Sequence, residues 1–111
     1  MFGFLKKFIK NGSTERAIRR WLDKNGFYGS SAKFDHVELH AIKRPGWLQV
    51  FRFAGEFKTT EGEWIRYLGA VRSDERYNRC EIEIFKRLDG LESKLEEWSD
   101  GLIVRRQFRK P

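Results

Sequence analysis

The segment His36-Val37-Glu38-Leu39-His40 holds both histidines of the chain, with an acid between them. On a helix, two imidazoles four residues apart share a side and chelate zinc. The zinc-protease pattern needs a glutamate directly after the first histidine, and here Val37 takes that place. On a strand, the same two rings stand on one face about 13 Å apart, at roughly 3.3 Å per residue, too far to share an ion. With one cysteine and no third histidine, no metal-ligand set is complete.

Glu38, Glu81 and Glu83 fall on strand positions that share a face with Arg66, Arg72 and Arg79. Carboxylates among aromatic rings take up protons readily and serve as general acids. Cross-strand Arg–Glu pairs are the more ordinary outcome of such a pattern. Cys80 sits in an alternating strand, where a buried structural thiol is expected. It falls opposite both histidines, so no Cys-His pair assembles. Asn25-Gly26 is a helix stop rather than a phosphate cradle. No catalytic residue, metal or cofactor is assigned. An enzyme would need a closed pocket between helix and sheet, lined by His36, His40, Glu38 or Glu81.

The elements that position these residues follow from periodicity. Residues 1–10 form a short amphipathic helix, with Phe2, Phe4, Leu5, Phe8 and Ile9 on one side and Lys6, Lys7 and Lys10 on the other. Asn11-Gly12 breaks it. A second helix starts at Ser13 or Thr14, buries Ala17, Ile18, Trp21 and Leu22, and stops at Asn25-Gly26. Four strands follow, over residues 34–43, 47–58, 63–72 and 77–86, joined by short loops into an antiparallel meander. Leu88, Leu91, Leu95 and Trp98 mark a short C-terminal helix, and residues 102–108 read as an edge strand or a tail.

With an even number of residues in each turn, Val37, Leu39, Ala41, Leu48, Val50, Ala54, Ile65, Tyr67, Val71, Cys80, Ile82 and Ile84 share the first sheet face. The Trp21 helix should cover it. The second face then gathers Phe34, His36, Glu38, His40, Ile42, Phe51, Phe53, Phe57, Trp64, Leu68 and Phe85. A solvated face would not collect this many rings, and leaving them in water forfeits about 1.5–3 kcal/mol each. The cover is the chain's own terminal helices, a second copy of the chain, or a ligand. Phe51, Phe53, Phe57, Trp64 and Leu68 are the expected partner-binding anchors.

Aromatics make up 15% of the 111 residues and charged residues 35%, a globular composition expected to form one domain over 1–111. Within it, 1–12 is a basic segment, 13–100 the α+β core and 101–111 a basic strand or tail. The net charge is +7, and the excess sits at the two ends. This favours polyanionic partners. Arg105, Arg106, Arg109 and Lys110 would supply phosphate contacts, and Phe51 and Phe53 a stacking platform for single-stranded nucleic acid. The lone Cys80 fits a reducing compartment. No apolar run is long enough to span a membrane, and Lys6, Lys7 and Lys10 interrupt any signal-peptide core, so the expected setting is cytoplasmic.

The helix-then-four-strand order resembles cystatin-like α+β rolls, in which an antiparallel sheet curls around a helix. The resemblance is one of architecture and carries no residue roles. The expected function is a non-enzymatic binding or assembly module that forms a homodimer or binds a protein partner through its aromatic sheet face. The alternatives are a nucleic-acid-binding protein and a small-molecule-binding or enzymatic roll.

Overall fold

The computed structural model describes residues 3–43 and 46–104, with side chains from residue 12 onward. The order is α1 (Gly3–Asp23), β1 (Phe27–Lys43), β2 (Leu48–Thr59), β3 (Trp64–Asp74), β4 (Arg79–Phe85), α2 (Leu88–Trp98) and β5 (Ile103–Val104). The α+β architecture follows the sequence: β1 to β4 form an antiparallel meander, and β5 extends the sheet beyond β1, giving β4-β3-β2-β1-β5. No helix among the described residues is long and apolar enough to cross a membrane. The side-chain pattern of residues 1–10 and the basic residues Arg105, Arg106, Arg109 and Lys110 lie outside the described parts.

α1 runs through Asn11-Gly12, which was expected to break it. A glycine inside a helix costs about 1 kcal/mol relative to alanine, too little to interrupt a ladder that continues on both sides. Ser13 and Thr14 are therefore mid-helix residues rather than caps. The other end matches expectation. Gly26 adopts a positive φ of 91°, and the Asn25 side-chain amide donates to the Trp21 carbonyl at 2.7 Å.

β1 begins at Phe27, seven residues before the expected start at Phe34. Gly29 allows this, because α1 crosses so closely that a Cβ there would meet the Arg19 carbonyl oxygen at 2.2 Å. The crossing is clamped from both sides. The Gly29 N–H donates to the Asp23 carboxylate at 2.7 Å, and Arg19 donates to the Gly29 carbonyl at 2.9 Å. Ser31 repairs the irregularity that follows, its hydroxyl accepting the Lys58 N–H at 2.9 Å.

The expected division of side chains between faces is corrected at two places. The β2–β3 hairpin closes with Thr59 N–H donating to the Glu63 carbonyl at 2.8 Å, which leaves Thr60, Glu61 and Gly62 as the loop. Gly62 has φ 95°, as a three-residue hairpin with a left-handed position requires. An odd loop reverses parity, so Phe51 pairs with Val71, Phe53 with Gly69 and Phe57 with Ile65. On β1, register shifts between Phe34 and His36 and between Leu39 and Ala41 put Val37 opposite Phe53 and Leu39 opposite Phe51.

Phe51, Phe53 and Phe57 consequently lie on the α1 face, not the opposite one. With Ile18, Leu22, Phe27, Ala32, Val37 and Val71 they form the first core, and Phe53 and Phe57 are fully buried. Their rings meet edge to face, Phe34 with Phe53 at 6.0 Å and Phe53 with Phe57 at 6.3 Å between centroids. The Phe53 ring occupies the space above Gly69, where a Cβ would come within 2.1 Å of it. The reverse face carries a second core of Ala41, Val50, Ala70, Leu91, Leu95 and Trp98, with Leu68 and Phe85 packed against it. Both faces carry apolar clusters, as expected, and α2 covers part of the second one.

Phe53→Ala should cost about 3–5 kcal/mol of unfolding free energy, as expected for an emptied core position. Gly69→Ala should cost about 1–3 kcal/mol by overpacking, and Phe53→Leu in the same chain should recover part of that loss. Urea denaturation of the single and double variants measures both effects.

Candidate functional site

α2 covers only part of its face. It docks through Leu91, Leu95 and Trp98, and charge secures its rim. Arg72 lies over the Trp98 ring at 5.2 Å and pairs with Glu81 across β3–β4 at 2.6 Å. Lys94 reaches Glu83 at 3.5 Å and Glu97 at 3.1 Å. The Lys94 ammonium is held above its ordinary range, chiefly by its hydrogen bond to Glu97, with Glu83 adding to it. The expected cross-strand pairing thus occurs at Arg72–Glu81. Arg66 instead binds Asp35, and Glu56 at 3.2 Å. These carboxylates hold α2 and the strands together.

Beyond α2 the same face continues to the other end of the sheet. There Tyr28, Lys58 and Trp64 form one cross-strand row over β1, β2 and β3. Tyr28 is 48% exposed and Trp64 47%. One strand lies between them, which sets the rings about 10 Å apart at the usual inter-strand spacing. The Lys33 ammonium stands 4.7 Å from the Trp64 ring centroid, a cation–π contact that orients the indole. The next row is Lys33, Glu56 and Arg66. A second aromatic group, exposed Tyr77 with half-buried Trp47, sits at the opposite end, where Arg76 stacks at 3.7 Å on Trp47 and 4.7 Å on Tyr77. That group ties two hairpin loops together, and the Glu75 N–H donates to the Trp47 carbonyl at 2.8 Å.

Of the five expected anchors, Trp64 is exposed in this row and Leu68 is half-buried beside α2. Phe51, Phe53 and Phe57 are core residues beneath α1. Sequence reasoning missed Tyr28, because Gly29 and Ser30-Ser31 read as a loop. The alternation of Phe27, Gly29 and Ser31 with Tyr28 and Ser30 is the signal that would have found it. His36 pairs with Ala54, whereas His40 falls at the register shift between Leu39 and Ala41. Among the described residues, no three His, Cys, Asp or Glu side chains converge as metal ligands.

Cys80 was expected to be buried and is exposed at the start of β4. An edge strand next to a hairpin loop has no neighbour on its outer side. Partial burial of the thiol still raises its pKa; Arg20 opposes this and Glu81 adds to it. Compared with models of known families, with curated proteins and with solved structures, the chain shows no significant match.

Trp64→Ala and Tyr28→Ala should each change unfolding free energy by less than about 1 kcal/mol, as surface truncations do. A loss as large as that of Phe53→Ala would mean that the row is structural. At pH 8 the folded Cys80 should be alkylated more slowly than in the urea-unfolded chain. Arg20→Gln should slow it further, because removing the cation raises the thiol pKa again.

Proposed function

We propose that the protein is a non-enzymatic assembly module that pairs with a second copy of itself through the Tyr28–Lys58–Trp64 row. The observation that carries this is the half-exposed ring pair on a sheet face that α2 covers only at its other end. Large rings set in a polar surround are the usual anchors of an interface. The surrounding charges favour a self-complementary contact. Lys33, Lys58 and Arg66 stand among Asp35 and Glu56, so a two-fold axis can bring opposite signs together across it. A patch with both signs suits a polyanion less well.

Nucleic acid binding is the second reading. It is favoured by Lys33 stacked on Trp64, a ring-plus-cation unit that also accepts an unpaired base. We also read the sheet curled about α1 as a roll of the cystatin-like kind, an architecture that by itself assigns no activity. A reducing, cytoplasmic setting fits the unpaired Cys80.

Sedimentation velocity over a dilution series tests the proposal. The wild-type chain should shift from dimer to monomer on dilution, and Trp64→Ala should be monomeric at every concentration. A monomeric wild-type chain at high concentration would refute it. Tryptophan quenching by a single-stranded oligonucleotide that fades steeply with salt would instead favour the second reading.

A further inference from the structure

β4 is the last strand at its end of the sheet, and among the described residues no strand pairs with its outer side. All seven of its residues, Arg79–Phe85, are paired inward to β3. In an antiparallel ladder each residue turns its N–H and C=O to one side, and successive residues alternate. Every second residue of β4 therefore offers an unused donor and acceptor outward, along about 20 Å at roughly 3.3 Å per residue.

The two rows of side chains on this edge differ in chemistry. Ile82 and Ile84 pair with Val71 and Gly69 and lie half-buried against the first core, on the α1 side. Glu81 and Glu83 stand on the α2 side, their side chains 52% and 46% exposed. Both contacts from Arg72 to Glu81 go to the same oxygen, Oε1. Lys94 reaches Glu83 at Oε2 alone, at 3.5 Å. Each carboxylate thus keeps a second oxygen for another cation. Glu97 lies beside Lys94 on α2 and adds to the negative charge. Arg79, at the start of the strand, lies across the ladder from Asp74. Residues 81–100 carry seven acids against three bases, in a chain of net charge +7. The acidic part of this basic protein is the part that holds its β4 edge.

We propose that the β4 edge takes up an extended segment of another protein as an added strand, one in which Lys or Arg alternates with aliphatic residues. The backbone of that segment continues the ladder. Its cations meet Glu81 and Glu83, and its aliphatic side chains extend the first core over Ile82 and Ile84. A second β4 is a poor occupant, because it brings acids to acids. The edge is separate from the Tyr28–Lys58–Trp64 row, so the strand binds whether or not the row pairs two copies.

Fluorescence anisotropy on the full chain, with a labelled seven-residue peptide of alternating Lys and Val, tests this. Three control peptides each lack one contact: the same residues in block order, alternating Glu and Val, and the Lys–Val peptide with every backbone N–H methylated. The alternating basic peptide should bind about ten-fold more tightly than each control. It should also slow alkylation of Cys80 by iodoacetamide, because that thiol lies on the strand the peptide covers. Glu81→Lys with Glu83→Lys should reverse the preference toward the Glu–Val peptide. Glu81→Gln with Glu83→Gln, a milder change, should weaken Lys–Val binding about ten-fold. Both positions are exposed, and circular dichroism verifies that each variant is folded. Failure of the Lys–Val peptide to bind at low salt would overturn the proposal, as would equal affinity for the block peptide. Binding that survives backbone methylation or the glutamine pair, or that leaves Cys80 alkylation unchanged, would overturn it as well.

Discussion

The far end of the Phe53 ring sits over β3 at the one position where the opposing residue, Gly69, has no side chain. The layering of the domain depends on that contact. With the ring over Gly69, Phe51 and Phe57 share its face, and three phenylalanines from one strand enter a single core with Phe27 and Phe34. The reverse face is left with smaller groups, Val50, Ala54 and Ala70. These leave room for a short helix with a narrow apolar stripe, which is what α2 supplies. Large rings under the long helix and alanines under the short one are two consequences of the same register.

Much of this was legible in the sequence. The alternating runs that became β2, β3 and β4, the helix stop at Asn25-Gly26 and the stripe Leu91, Leu95, Trp98 are local patterns, and local chemistry decides them. Which rings share a face was not legible. Face assignment integrates parity through every turn, so a single odd loop reverses all that follows. Thr60-Glu61-Gly62 is such a loop, and the extra residues in β1 reverse the first strand again. Neither leaves a strong mark on composition. The start of β1 was hidden for a different reason. Gly29 and Ser31 look like loop residues, yet they are required by the α1 crossing and by a side-chain bond that spans an irregularity.

The candidate sites were less visible than the fold. Trp64 was singled out, but for a surface that also contained Phe51, Phe53 and Phe57. Its actual neighbours, Tyr28 and Lys33, come from a part of β1 read as loop. Both outer strands also show how the sheet is kept from growing. β4 presents Glu81 and Glu83 along its edge, so a second β4 laid antiparallel against it would bring like charges together.

At the other edge, the described part of β5 is Ile103 and Val104, paired with Ile42 and Ala41. Every other strand pairing joins neighbours along the chain, which zip from their hairpin turns with little loop entropy to overcome. The β5 pairing has to wait until the four-stranded meander and α2 are in place, since those bring its partners within reach. It is a clasp fastened last, and because Val104 also packs against the second core, closing it finishes that core as well as the sheet.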